Sequence, residues 1–404
     1  MKDKKYLPAI IIMYLNYFIH GVGCSVLGQA VIKESLAASW GCETMMITKI
    51  SAALGLGRLL ALPFAGPLSD KLGRRISMII GGFSYAVYLI GIALAFNVGT
   101  HGGYVIAYVC AVIGGIANSF LDTGIYPAVS EAISDAPSIA TMGIKFFISI
   151  GQMLLPFFLG VVVTTTASGN ANYTLAFWIC GVAFAVLAVL AFFFPVPETE
   201  EEKPAATCEK KPGFFKNFQV QHFSKEAIAM ILIGFTCTGT FQLWLNCAQN
   251  YAMEVAGWAD PSAMQSHYSL GTILALIVTS ILTRKFKDVN FILVYPAICF
   301  VMLIVVLMFP SQAICRVGSF VIGWAGAGGL LQIVTSVCNM LFPKIKGTVT
   351  ALVMFESSLC NYTVLSAAGY MTPTQVMIMN IVLTGVGVLL GLYVNIRYRN
   401  LVAK

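Results

Sequence analysis

Five ionisable residues lie within long apolar stretches of the sequence: Arg58, Asp122, Lys145, His20 and Glu356. An ionisable side chain at membrane depth is costly unless it is paired or hydrated, so each of them needs a physical reason. Two cations and one carboxylate can form an ion pair, or can leave one cation for an anionic ligand. A carboxyl group and an imidazole can also bind and release protons. These residue types therefore indicate ion pairing, anion binding or proton transfer.

The apolar stretches that carry these residues predict membrane-spanning helices. The chain of 404 residues is 58% hydrophobic and only 10% charged, with a mean hydropathy of +0.84. A helix needs about 20 apolar residues to cross the hydrocarbon layer, and the backbone inside a bilayer must satisfy its own hydrogen bonds. We predict an all-α membrane protein whose twelve transmembrane helices span 7–32, 43–66, 76–97, 103–128, 139–164, 172–195, 226–250, 263–283, 290–309, 313–340, 347–370 and 374–396.

The basic residues predict the orientation of the chain. Most of the 24 Lys and Arg residues fall on one side of the membrane if the N-terminus is cytoplasmic, and basic residues are retained on that side. Both termini are therefore predicted to be cytoplasmic. The eleven cysteines form no CxxC pair and lie mostly within spans, which is typical of small apolar packing residues.

A polar segment divides the chain into two parts. It is Pro-rich and of mixed charge, as is typical of a solvated tether. The sequence "GIANSFLD" at 115–122 aligns weakly with "AGAGGLLQ" at 325–332, which indicates two pseudo-symmetric six-helix halves around a central site, a transporter architecture. We predict an N-terminal half at 1–195, a cytoplasmic linker at 196–225 and a C-terminal half at 226–404.

The turn between predicted spans 2 and 3 concentrates charge in the sequence "GPLSDKLGRR". This sequence resembles the G-x-x-x-D-[RK]-x-G-[RK]-[RK] signature of the major facilitator superfamily, and the twelve spans with a central linker extend the resemblance to the whole chain. The phrase "GIANSFLDTGIYPAVSEA" also resembles a poorly characterised group of bacterial inner-membrane permeases of that superfamily. The matching residues of the turn are Gly66, Asp70, Lys71, Gly73, Arg74 and Arg75.

The resemblance implies a gating role for this turn in a transporter that works by alternating access. Gly66 would let span 2 approach span 11 closely, and Asp70 would lie against the positive end of span 11. Arg74 or Arg75 would pair with Glu131 at the cytoplasmic end of span 4. The alternative is that the basic residues serve only to set the topology, although topology requires no acid in the turn.

Three of the intramembrane charges are expected at one depth of the N-terminal half. Arg58, Asp122 and Lys145 each lie roughly 10 Å from the cytoplasmic surface, at a rise of about 1.5 Å per residue. One interpretation is a structural pair, either Arg58–Asp122 or Lys145–Asp122. The other is an anion site, in which one cation binds a carboxylate or phosphate of the substrate. The sequence leaves both open.

Glu356 and His20 are candidates for proton coupling. Glu356 lies near the middle of span 11, where no basic residue of the C-terminal half is expected at the same depth. Removal from water favours the neutral form of a carboxyl group, so Glu356 could bind and release a proton. His20 lies at mid-depth in span 1 and is either a second proton carrier or a hydrogen-bonded histidine between helices.

Polar and aromatic residues recur at the depth of a central cavity, which the resemblance places along spans 1, 4, 7 and 10. Amide groups with a few aromatic rings suit a small hydroxylated or carboxylated solute better than a bulky lipophilic drug. Each of these residues is equally consistent with a contact between helices. They are Asn16, Tyr17, Asn118, Gln242, Trp244, Asn246, Trp324, Gln332, Asn361 and Tyr362.

Together these features predict a monomeric secondary transporter of the bacterial inner membrane. We expect it to move a small polar organic solute, an organic acid first and a sugar second, in symport with protons. The first rival is a proton-coupled exporter of drugs or metabolites, although "GQMLLPFFLG" in span 5 lacks the close Gly-Pro pair of drug antiporters. The second is a sensor that does not transport, but the linker offers no output domain. We find no HExxH, P-loop or GxSxG motif, and predict no enzyme activity, cofactor, metal or nucleic-acid partner.

Overall fold

The computed structural model describes residues 4–166, 169, 171–197, 225–283, 285–341 and 346–402. Within them the chain forms two compact units. The first unit contains residues 4–27 and 31–197, and the second contains residues 28–30 and 225–402. The predicted linker lies almost wholly outside the described residues, so its boundaries stay a prediction.

The first unit is built from long apolar helices joined by short turns. A short β-hairpin joins its last two helices. Its two strands have two residues each, and β1 (Thr164–Thr165) pairs antiparallel with β2 (Ala171–Asn172). The predicted first span ends early, because the chain turns after residue 28 and continues in a separate short helix. The helices are α1 (Leu7–Ser25), α2 (Ala30–Trp40), α3 (Thr48–Leu72), α4 (Arg74–Val98), α5 (Thr100–Ala132), α6 (Pro137–Val162) and α7 (Thr174–Phe193).

The second unit repeats this pattern with one interruption. The predicted tenth span is broken near its middle by a π-helical turn, Gly323–Ala327, and by Gly329, whose φ of +123° favours glycine. A broken helix inside a membrane protein is tolerated where protein or a cavity surrounds it. The helices are α8 (Lys225–Glu254), α9 (Ala263–Leu282), α10 (Asp288–Met308), α11 (Gln312–Ile322), α12 (Leu330–Leu341), α13 (Lys346–Ala368) and α14 (Pro373–Val402).

Ten helical segments of the described chain are long and apolar enough to cross a membrane. Predicted spans 10 and 11 are helical but fall outside this set. The first of them is divided between α11 and α12, and the second, α13, carries a run of polar residues from Glu356 to Thr363. The all-α membrane fold expected from the sequence is confirmed.

Paired glycines bring two helices of the first unit into backbone contact. A Cβ atom added at Gly57 of α3 would lie 1.9 Å from the carbonyl oxygen of Val112, and one at Gly115 of α5 would lie 2.1 Å from that of Leu54. This close crossing places Arg58, the residue after Gly57, against α5. The second unit has a matching crossing, where Cβ atoms at Gly271 and Gly323 would lie 2.2 Å and 2.0 Å from backbone oxygens.

Substitution of Gly115 by alanine is expected to destabilise the protein by about 1–3 kcal/mol, because the new methyl group forces α3 and α5 apart. The matched control is Gly160→Ala in α6, where an added Cβ meets no described atom within 4 Å. That change should be neutral or stabilising by up to about 1 kcal/mol, because alanine favours the helix. Thermal unfolding in detergent measures both variants, and equal stabilities would contradict the close crossing.

Candidate functional site

An ion pair inside the first unit forms the centre of the candidate site. The Nη2 group of Arg58 on α3 donates to Oδ2 of Asp122 on α5 at 2.5 Å, and the Tyr17 hydroxyl of α1 donates to Oδ1 at 2.5 Å. Both carboxylate oxygens of Asp122 therefore accept a hydrogen bond, one of them from a charged donor. The Arg58 and Asp122 side chains are 28% and 26% exposed. The pair consequently borders accessible space.

His20 lies beside this ion pair, one helical turn after Tyr17 on α1. Its ring is 5.5 Å from that of Tyr17 and 5.2 Å from that of Tyr85. The charges of Asp122, Arg58 and Lys145 all act on it. The structure thus brings together the four ionisable residues singled out in the N-terminal half, with Lys145 contributed by α6.

Several buried polar atoms around the ion pair have no hydrogen-bond partner among the described residues. They are Nδ1 of His20, Nε of Arg58 and Oδ1 of Asn118, which lies one turn before Asp122 on α5. Native proteins leave few buried polar atoms unpaired, because each costs about 1–3 kcal/mol. The concentration of such atoms here distinguishes the site from ordinary helix packing.

Two aromatic residues of the site did not emerge from the sequence. Tyr126 is four residues after Asp122 on α5 and packs edge-on against Tyr17, with 5.5 Å between ring centroids. That spacing was a usable signal, because residues four apart share a helix face. Tyr85 of α4 contacts His20, and no spacing within α4 would have shown this.

The turn between α3 and α4 is held by Arg74. Its Nη1 donates to Asp70 at 2.6 Å, and its Nη2 lies 3.5 Å from Oε1 of Glu131 at the end of α5. Gly73 has a φ of +93°, a conformation that favours glycine and ends α3 sharply. Arg74 therefore links the ends of α3 and α5 at the start of α4.

The other members of the turn have separate surroundings. Arg75 donates from Nη2 to the carbonyl oxygen of Phe194 at 2.9 Å and so satisfies a backbone group at the end of α7. Lys71 is exposed. A Cβ atom at Gly66 would meet no described atom within 4 Å. The approach of span 11 to Gly66 and Asp70 stays a prediction.

Glu356 lies in the second unit, on α13. Its Oε2 atom is buried and has no hydrogen-bond partner among the described residues. The thiols of Cys338 on α12 and Cys360 on α13 lie within electrostatic range of the carboxyl group. Oδ1 of Asn361, also on α13, is likewise buried and unpaired within the described chain.

Three of the polar residues considered as cavity-lining are buried, and each donates a hydrogen bond within its own helix or to a neighbouring one. Asn16 donates to the carbonyl oxygen of Ile12 at 2.9 Å, within α1. The Trp244 indole donates to Ser319 Oγ at 3.2 Å and so joins α8 to α11. Asn246 donates to the backbone oxygen of Gln242 at 3.0 Å, within α8.

Four further residues of that group are partly accessible or have side chains that the structure does not describe. Gln242, Trp324 and Tyr362 are half-buried. The Trp324 ring lies in the π-helical turn, 6.0 Å from the ring of Phe320. The side chain of Gln332 lies outside the described residues.

The ten described helices that are long and apolar enough to cross a membrane mark an integral membrane protein. The sequence model of the Major Facilitator Superfamily matches residues 13–361, and the chain belongs to that superfamily. The family resemblance read from the turn at 66–75 is therefore confirmed, as is the expectation that the protein is not an enzyme.

Two bacterial proteins are similar over most of their length. The chain is 32% identical over 363 residues to the uncharacterised MFS-type transporter YfkL of Bacillus subtilis, covering 88% of this chain and 87% of that protein. It is 30% identical over 370 residues to the inner membrane transport protein YdiN of Escherichia coli. That alignment covers 91% of this chain and 84% of YdiN. Both relatives support the transporter class.

A solved structure supports the fold. The crystal structure of a D-xylose-proton symporter superposes with a TM-score of 0.74 and covers 97% of both chains, at 14% sequence identity. At that identity the likeness concerns the fold alone.

Proposed function

We propose that the protein is a symporter that moves a small organic acid together with protons by alternating access. The observation that carries this proposal is the partly exposed cluster of Arg58, Asp122 and Tyr17 within the membrane. Asp122 occupies Nη2 of the guanidinium, whereas Nε has no partner among the described residues. A guanidinium has five donors and forms strong charge-assisted bonds to carboxylates.

The charge around the cluster favours an anion over a neutral lipophilic solute. Lys145 adds a second positive charge. Like Arg58, it lies within electrostatic range of His20. A drug-like apolar solute would gain nothing from these charges, whereas the carboxylate of an organic acid would be attracted by the net positive charge that Arg58, Lys145 and Asp122 have together. Sugars are the second candidate class, because the tyrosine hydroxyls and the Asn118 amide suit hydroxyl groups as well.

The cellular setting is part of the same proposal. We place the protein in the bacterial inner membrane as a monomer, with both termini in the cytoplasm. The distribution of basic residues supports this orientation, and the printed name of YdiN supports the inner membrane.

A thermal-shift screen of the purified protein tests the proposed substrate class. Organic acids should raise the unfolding temperature, because a solute at 100 times its Kd stabilises the folded state by about 2.7 kcal/mol. Sugars, amino acids and cationic drugs are screened at the same concentrations. A response confined to cationic drugs would contradict the proposal and favour the exporter, and the absence of any response to organic acids or sugars would also contradict it.

A further inference from the structure

Asn118 lies on α5 beside the crossing of this helix with α3. One turn before it, a Cβ atom added at Gly115 would lie 2.8 Å from the backbone nitrogen of Arg58. The residue after it, Ser119, donates from Oγ to the carbonyl oxygen of Arg58 at 3.3 Å. Residues three apart are neighbours on a helix surface. Asn118 and Arg58 therefore border the same interface between α5 and α3.

Two atoms at this interface are buried without a hydrogen-bond partner among the described residues, and they are of opposite type. Nε of Arg58 can only donate, whereas Oδ1 of Asn118 can only accept. Every side chain of α1, α3 and α5 is described, so these three helices supply no partner to either atom.

The two side chains are half-buried, although the unpaired atoms themselves are sealed from solvent in this conformation. Native proteins seal few polar atoms in this way, because each one has lost its bonds to water. A donor and an acceptor that both lack partners beside a partly accessible ion pair indicate groups that are paired when the solute is bound.

A simple carboxylate satisfies only one of these two atoms. Its oxygens accept from Nε of Arg58, but an ionised carboxylate has no hydrogen to donate to Oδ1 of Asn118. A hydroxyl group donates and also accepts, so it pairs with the amide in either of the two orientations of the amide. A neutral sugar would pair with Asn118 but would lack the charge-assisted bond to Arg58.

We propose that the substrate is a hydroxy acid and that Asn118 selects for its hydroxyl group. This inference rests on the proposed function, in which Arg58 binds the carboxylate of an organic acid. A site that holds a polar group for a hydroxyl of the substrate leaves that group unpaired when the hydroxyl is missing, and so it rejects the analogue. Asn118 is therefore a specificity-determining residue.

Matched pairs of acids test this inference on the unaltered protein. The members of each pair differ by one hydroxyl group: lactate and propionate, malate and succinate, 3-hydroxybenzoate and benzoate. Thermal-shift titration of the purified full chain gives a Kd for each acid. In at least one pair the hydroxy acid should bind about tenfold or more tightly than its partner, which is the cost of one unpaired buried polar group.

Asn118→Leu tests the residue to which the selection is assigned. Leucine is close to asparagine in size but has no polar side-chain atom, so the hydroxy acid should bind about as weakly as its partner, whose own Kd should change by less than about threefold. The unfolding temperature should stay equal or rise, because the variant removes a sealed oxygen that has no described partner. The control Asn97→Leu removes an exposed amide from α4 and should keep the preference.

The outcomes separate this inference from the proposed function. If acids bind but no pair shows a preference for the hydroxy acid, this inference alone is overturned. A preference that survives in Asn118→Leu would also overturn it, as would an equal loss of affinity for both members of a pair together with a lower unfolding temperature, which is the result of a merely structural role. If none of the acids binds to the unaltered protein, the proposed function fails and this inference fails with it.

Discussion

Arg58→Gln should weaken the binding of organic acids and so reduce the stabilisation that they confer on the protein. The guanidinium is the group proposed to bind the carboxylate, and a hydrogen bond to a charged group contributes about 1.5–3 kcal/mol, equivalent to roughly a ten- to hundredfold loss of affinity. The variant should also lose about 1–3 kcal/mol of stability. Removal of one partner of a fully buried pair costs more than this, but about a quarter of each side chain is exposed here. Thermal-shift titration measures both effects.

The double variant Arg58→Gln with Asp122→Asn separates binding from stability. It removes both charges of the pair, so no unpaired buried charge is left and stability should recover toward that of the unaltered protein. Binding of organic acids should not recover, because the cation is still missing. If the double variant regains both its stability and its binding of organic acids, Arg58 serves only to neutralise Asp122. If Arg58→Gln alone binds organic acids normally, the proposed anion site is wrong.

Asp70→Asn should reduce transport by about five- to thirtyfold while leaving expression and insertion intact. The carboxylate accepts the 2.6 Å bond from Arg74, which also approaches Glu131, so its charge organises the ends of α3 and α5. An interaction of about 1–2 kcal/mol that differs between two conformations shifts their ratio roughly five- to thirtyfold. Stability should change by less than about 1 kcal/mol, because the Asp70 side chain is 59% exposed.

Asp135→Asn is the matched control for this variant. Asp135 follows α5 by a few residues and is also exposed, and its substitution removes the same charge near the same turn. Initial rates of uptake into vesicles compare the two variants at equal protein content. Normal uptake by Asp70→Asn, or an equal loss in both variants, would remove the specific gating role of Asp70.

The helices could be predicted from the sequence because the membrane imposes a strong rule on composition and length. The Asp70 turn was equally readable, because Gly73 and the charged residues lie in a short continuous segment. The break in the tenth span was harder to predict from the sequence. Glycine is common in membrane helices, so "GWAGAGG" indicated close packing as readily as a π-helical turn.

The partners within the site could not be predicted, because they depend on how each helix is rotated about its axis. The depth of Arg58, Asp122 and Lys145 followed from counting residues, but counting left two ion pairs open. The contact of Gly57 with Val112 fixes the rotation of α3 against α5 and so brings Arg58 to Asp122. The partner of Trp244, Ser319, could not be predicted for the same reason. The sequence of its apolar helix gives little indication of which face is buried.

Uptake of an organic acid into proteoliposomes under an imposed pH gradient tests the central claim most directly. The acid is one that stabilises the protein in the thermal-shift screen. We expect accumulation against its concentration gradient when the interior is alkaline, and loss of accumulation when a protonophore collapses the pH gradient. Glu356→Gln should lose this accumulation but still exchange labelled for unlabelled acid, because exchange requires no release of the proton. Accumulation that ignores the pH gradient, or that requires an acidic interior as in proton antiport, would contradict the account.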